Sequence, residues 1–305
     1  MDADFPRLDE HLAGADLDGY LVDADGADST QRYLSGFDAP DPFTTVYTPE
    51  TTAILVSALE FGRAKTESRA DEVSRLADYD YRSLAAEHGG SKAKARVVSA
   101  WLDDLDVAGV ATPDRFPLGP ADRLRERGLA VEPDADDVVT RIRARKRPEE
   151  QTHVREAQRA NEAAMRAAEA LLREAEVVDA DAVATGDGND AGEVLSHDGA
   201  VLTSERVKTE IETTLLEHGY GLDETIVASE ADAADPHARG SGSLRPDRPI
   251  IVDIVPRSKA TGYHADITRQ LLVGDPEPTV PALPEPTPDP PTAAPQRLPP
   301  RVPAT

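Results

Sequence analysis

The sequence predicts an α/β domain over residues 1–140, a second domain over 141–274, and a proline-rich disordered tail over 275–305. Three observations carry this reading. A length of 305 residues suits about two domains. Short apolar strands alternate with helical patterns through the first 140 residues, as in a small α/β layer structure. At Asp275 the composition breaks: 12 of the last 31 residues are proline, too dense for a β-ladder or a helix interior.

The first domain reads in order. Helix patterns cover Phe5–Leu12, Leu59–Glu67, Ala93–Leu105 and Pro120–Arg127. Strand patterns cover Gly19–Val22, Thr44–Tyr47, Ala53–Val56 and Val107–Ala111. Arg32–Phe37 reads as a short helical turn closed by Gly36. The basic run Arg141–Arg147 reads as a solvated connection between domains.

In the second domain, Pro148 suits a first helical turn, and Glu149 and Glu150 suit the positive end of its dipole. That helix runs to about Val177, with Val154, Ala157, Ala164, Ala168 and Leu171 as its apolar stripe. Asp179–Asp198 reads as a flexible acidic insertion, and its Asp187–Gly192 only faintly follows a calcium-loop spacing. A second helix starts at Thr203 or Ser204, ends before Gly219, and buries Val207, Ile211 and Leu215. Thr225–Ala228 is a short strand.

Composition bounds the partners. Net charge is −25, from 58 acidic and 33 basic residues, which excludes a basic nucleic-acid face. Only six residues are lysine. This acid-rich, lysine-poor balance resembles proteins of salt-loving archaea, where salt screens the self-repulsion. With no cysteine there is no disulfide and no thiolate metal site. No run approaches the ~18 apolar residues of a membrane span, and no leader pattern opens the chain, so a cytoplasmic location and no membrane partner are expected.

The chemistry concentrates in Pro249–Arg269, which reads as a β-hairpin with Asp253 and Asp266 inside apolar, β-branched runs. A carboxylate on a buried strand face needs a partner. A turn centred between Lys259 and Ala260 would set the two aspartates directly opposite each other, ~5 Å apart at Cβ. Two carboxylates so close repel unless cations bridge them, and such a pair suits two divalent metals. Exposed aspartates on an edge hairpin are the competing reading.

These residues resemble the creatinase/prolidase family of pita-bread metallopeptidases, M24, which includes Xaa-Pro aminopeptidases and Xaa-Pro dipeptidases. The resemblance lies in Ile251-Val-Asp253, Gly262-Tyr-His-Ala-Asp266-Ile-Thr-Arg269 and Asp235-Pro-His237. It extends to the linker helix Lys146–Ala157 and, more weakly, to Arg32–Phe37. The aspartates stand a couple of residues further apart than in most members; an even insertion keeps both on one face.

The resemblance implies an α/β N-terminal domain plus an α+β pita-bread catalytic domain, of which only the first half is present. It implies two divalent ions (Mn, Co or Zn), with Asp253 ligating one and Asp266 bridging both. It places His237 beside the substrate, and it implies a peptide with proline at its second position as substrate. His264 shares the parity of Asp266. The family site takes a histidine and two glutamates further downstream. Here no histidine follows His264, and the later glutamates, Glu277 and Glu285, lie in the tail. The resemblance therefore implies a truncated or frameshifted copy with three of five ligands missing, weak metal binding and no catalysis. It leaves a homodimer open, and predicts self-association through an uncovered apolar sheet face. The alternatives are a non-catalytic pita-bread peptide-binding protein and a metal-free, creatinase-like amidinohydrolase.

Overall fold

Runs of β-branched and aromatic residues build the first sheet. The computed structural model describes residues 5–183, 192–222, 224–235, 237–275 and 296–298. The chain divides into two units, Met1–Lys146 and Arg147–Thr305.

The first unit runs α1 (Pro6–Ala15), β1 (Gly19–Ala24), α2 (Ser29–Ser35), β2 (Phe43–Tyr47), β3 (Thr52–Val56), α3 (Phe61–Glu67), β4 (Glu72–Arg75), α4 (Tyr81–His88), α5 (Gly90–Asp104), β5 (Gly109–Pro113), α6 (Leu118–Arg125), β6 (Ala130–Asp134) and α7 (Val138–Ala144). Its six strands lie in the order β4-β3-β2-β1-β5-β6. The β1–β2 and β2–β3 pairs are antiparallel and the others parallel. Helices cover both faces. Leu21, Val46, Leu55 and Val110 pack with Val97, Trp101 and Leu102 of α5. On the other face Tyr20, Val22 and Tyr47 pack with Leu8 and Leu12 of α1. The turn expected at Arg32–Phe37 is the end of α2. Asp28 caps that helix by accepting the N–H groups of Thr30 and Gln31 at 2.8 and 2.9 Å, and Gly36 ends it at φ 67°.

Five elements differ from the sequence reading, the first being α4, where no helix was expected. The fourth expected strand begins at Gly109 rather than Val107, because Val107 caps the turn after α5 through its N–H to Leu102 O. The basic connection is partly α7, whose Val139 is buried against α1 and α2 residues. β4 and β6 were not visible as strands: β4 is a half-exposed edge, and β6 is an edge strand carrying Pro133.

The second unit runs α8 (Pro148–Glu174), β7 (Glu176–Asp179), β8 (Glu193–His197), β9 (Ala200–Val201), α9 (Ser204–Glu217), β10 (Tyr220–Gly221), β11 (Thr225–Ser229), β12 (Ile250–Ile254), β13 (Arg257–Ser258), β14 (Ile267–Val273) and β15 (Gln296–Leu298). The strands form three sheets: β11-β12-β14-β15, β10-β13 and β7-β8-β9. One face of the largest sheet, through Val227, Val252, Ile254, Ile267 and Leu271, packs on Ala157, Ala164 and Leu172 of α8 and Val207, Ile211 and Leu215 of α9. The buried stripe of α8 ends on Leu172 rather than Leu171. Thr203 caps α9 by accepting the Arg206 N–H, and Gly219 follows its end at φ 80°.

The acidic insertion is not wholly irregular. β7 and β8 pair antiparallel, and Val194 and Leu195 are fully buried, so apolar residues at both ends of Asp179–Asp198 zip into a sheet. The calcium-like stretch falls largely within residues 184–191, outside the described residues. In the tail, Gln296–Leu298 form a strand parallel to β14 where disorder was expected. These three residues stand between Pro295 and Pro299 and retain the N–H groups a ladder requires. Among the described residues, no helix is long and apolar enough to cross a membrane.

Candidate functional site

The aspartate hairpin forms, in a different register from the one expected. Asp253 lies opposite Thr268 and Ile254 opposite Ile267. The same register continues through the Arg257–His264 bridge to the Ser258 N–H on Tyr263 O at 2.9 Å. The turn is therefore Lys259–Gly262, centred one residue later than the symmetric placement. Gly262 closes it at φ 74°, donating its N–H to Ser258 O at 2.9 Å. A one-residue shift of the centre moves the pairing by two. Asp266 thus sits diagonally from Asp253, still on the same face.

That face is the open one. Along β12, Ile250, Val252 and Ile254 are fully buried, whereas Ile251 and Asp253 are half-buried and Val255 is 42% exposed. Across the sheet Asp266, Thr268 and His264 are exposed. The expectation that the aspartates occupy the inward face is thereby corrected: helices α8 and α9 fill the opposite face. Asp253 Oδ1 accepts the Thr268 hydroxyl at 2.7 Å.

His237 is exposed and lies in the loop after β11, its N–H donating to Asp235 Oδ1 at 3.0 Å. The loop then turns back along β11, where Val227 N–H meets Arg239 O at 3.1 Å. Val227 pairs with Val252, so this loop runs beside the strand that neighbours β12. Lys208 and Glu205 of α9 pin it, through Gly240 O at 2.7 Å and the Gly242 N–H at 3.2 Å. Gly240 is required there: a Cβ would stand 1.8 Å from Val227 O, and φ is 75°.

Two further contacts, neither expected from the sequence, hold the hairpin. Asn161, fully buried in α8, donates Nδ2–H to Ile254 O at 2.9 Å. At the turn, Tyr263 donates its hydroxyl to Glu150 Oε1 at 2.6 Å and stacks on His153 with ring centroids 5.5 Å apart. Burial acts to raise the Glu150 carboxyl, but hydrogen bonds from Tyr263 and Arg147 outweigh it and hold the group below its ordinary value. An Asn and a Glu on the core side of an amphipathic helix are the signal that could have revealed these contacts, since such groups require partners.

Two domain models match the sequence. The Creatinase/Prolidase N-terminal domain matches residues 5–145, and Metallopeptidase family M24 matches residues 152–283. Residues 152–283 belong to metallopeptidase family M24. Solved structures share the fold of this M24 chain. The prolidase from Pyrococcus horikoshii OT3 is 19% identical with a TM-score of 0.62, over 89% of this chain and 65% of its own. The Xaa-Pro dipeptidase from Bacillus anthracis is 17% identical with a TM-score of 0.65, over 90% and 65%. The X-Pro aminopeptidase from Thermotoga maritima MSB8 is 19% identical with a TM-score of 0.62, over 90% and 66%. The M24 chain thus spans about 65% of the length of the first two. No curated protein sequence matches it.

M24 is a dinuclear metal-dependent family. The carboxylates of Asp253 and Asp266 fit hard divalent ions in donor type and share one face. In number they fall short, because among the described residues no group of three or more His, Asp or Glu side chains could hold an ion.

Proposed function

We propose that this M24 chain carries the plan of a metal-dependent peptidase acting on the N-terminal Xaa-Pro bond of peptides, and that the 305-residue chain alone does not turn such peptides over. The observation that carries the first part is the shared open face of Asp253 and Asp266, with the His237 loop running alongside β11. In this reading the two aspartates are metal ligands for Mn, Co or Zn, and His237 lies on the substrate side. The substrate is a peptide with proline second, and the setting is a salt-rich cytoplasm. Inactivity rests on donor number, since affinity for a divalent ion rises with the count and rigidity of its ligands.

The test is to add Mn²⁺ or Co²⁺ to the purified chain in high salt and follow both an Xaa-Pro peptide and metal binding. No release of the N-terminal residue is expected. Mn²⁺ should bind weakly, as seen by its paramagnetic resonance signal, and Asp253→Ala or Asp266→Ala should abolish that binding. Metal-dependent cleavage overturns the inactivity. Binding unchanged in both variants overturns the ligand assignment. The same short donor set favours a second reading, a peptide-binding protein without catalysis, and peptide affinity independent of metal would select it.

A further inference from the structure

The first unit contains a cavity of about 170 Å³ that the peptidase plan does not use. It lies between β1, the start of α5 and the β5–α6 connection. Leu21, Val98, Phe116 and Leu124 supply its apolar wall, and Asp23, Lys94 and Arg123 its charges. An apolar cavity of about 150 Å³ is large enough for benzene, so this half-open one of similar size suits a body of about five or six carbons.

The charges point to the sign of the ligand. Lys94 and Asp23 neutralise each other at 2.6 Å. Arg123 is left over, half-buried, and among the described residues no hydrogen bond or ion pair engages its guanidinium. The lining therefore carries one net positive charge, in a chain whose net charge is −25. The surrounding backbone adds to it. Both α5 and α6 begin without a side-chain cap and without an acidic residue in the first turn, although 58 residues of the chain are acidic. Ser91 of the first α5 turn and Pro120 of the first α6 turn line the cavity. The Arg123 guanidinium folds back over Gly119, where a Cβ would meet Nη1 at 2.8 Å. A guanidinium reaching back from the last turn of α6 over Gly119, with no carboxylate bonded to it among the described residues, is a receptor for an anion.

We propose that this cavity binds a small monocarboxylate with an apolar body, its carboxylate on Arg123 and its body on Leu21, Val98 and Phe116. A free aliphatic amino acid and a branched short-chain acid both belong to this class.

Calorimetric titration of the full chain with isovalerate, isoamyl alcohol and isoamylamine tests it. Isovalerate should bind, and the alcohol and amine should bind about tenfold more weakly or worse, the loss expected for one charge-assisted hydrogen bond. Arg123→Gln should bring the acid down to the level of the alcohol, while Arg96→Gln, on the exposed side of α5, should leave it unchanged. Trp101, the only tryptophan, packs in the same cluster as Leu21 and Val98, so its emission verifies folding of each variant and reports filling of the cavity. Equal affinity for acid and alcohol, acid affinity unaffected by Arg123→Gln, or no heat and no Trp101 response to isovalerate would each overturn the proposal. Titration with leucine then separates amino acids from simple acids: tighter binding than isovalerate assigns the amine to Asp23, and weaker binding restricts the class to acids without an amine.

Discussion

In the N-terminal sheet, β2, β3 and β5 are buried along their whole length, whereas β12 in the C-terminal sheet alternates buried and half-buried residues. The two sheets handle carboxylates in correspondingly different ways. Asp134, at the end of β6, is 2% exposed and is satisfied internally: the Tyr20 hydroxyl donates to it at 3.2 Å and the Val138 and Asp136 N–H groups at 2.8 and 3.1 Å. Asp253 has one hydroxyl donor, from Thr268, and an open face. A sheet covered on both sides uses its aspartate as a structural hub. A sheet covered on one side, among the described residues, leaves its aspartates open to solvent.

The largest effect that tests this contrast comes from one substitution placed in each sheet. Ile54→Ala removes a fully buried side chain of β3 and should cost the first unit about 3 kcal/mol. Ile251→Ala, on the open face of β12, should cost the second unit less than about 1 kcal/mol. Urea unfolding followed by Trp101 emission reads the first unit, and amide exchange along β12 reads the second. Equal costs would mean that the face carrying Asp253 is covered in solution.

The carboxylates themselves give a smaller effect. Asp134→Ala leaves the Tyr20 hydroxyl and two N–H groups without their acceptor, and should cost about 2 kcal/mol. Asp253→Ala should change stability by no more than about 0.5 kcal/mol, because its side chain is half in water and has a single hydroxyl donor. A large loss at Asp253 in metal-free buffer would make it a second structural hub and break the contrast.

The difference between the two sheets was only partly legible in the sequence. The buried strands announced themselves by runs of β-branched and apolar residues, and α9 by its cap, stripe and terminal glycine. The aspartate hairpin was visible because two charges interrupt β-branched runs. Its face was misjudged because alternation fixes which residues share a face, not which face the helices cover. Its register was misjudged because the turn was placed by symmetry. Gly262, as the last loop residue with positive φ, would have set the closing pair at Ser258 and Tyr263. β4 and β6 lacked any apolar alternation, since edge strands are stabilised by a single neighbour and tolerate polar residues and proline.

The smallest expected effect concerns how the open hairpin is held. Glu150 accepts the Tyr263 hydroxyl at 2.6 Å and the Arg147 N–H at 2.8 Å, and its carboxyl is held below the ordinary value of 4.5 despite its burial. A carboxyl depressed in the folded state stabilises fully above its unfolded value, and that contribution fades as pH falls through the folded value. The second unit should therefore lose stability progressively below about pH 4.5, and Glu150→Gln should flatten that acid limb. At neutral pH the variant should be less stable by about 1 kcal/mol, one charge-assisted hydrogen bond, and the gap should close in acid. Tyr263→Phe should act in the same direction with a smaller gap, because Arg147 still donates. The measurement is the urea midpoint of the second unit by circular dichroism from neutral to acid pH, with the Trp101 transition accounting for the first unit. An acid limb identical in wild type and Glu150→Gln would show that the hairpin turn is held by the stacking of Tyr263 on His153 and not by the carboxylate. The position of Asp266, three residues beyond Tyr263, would then depend on the backbone ladder and on ring packing.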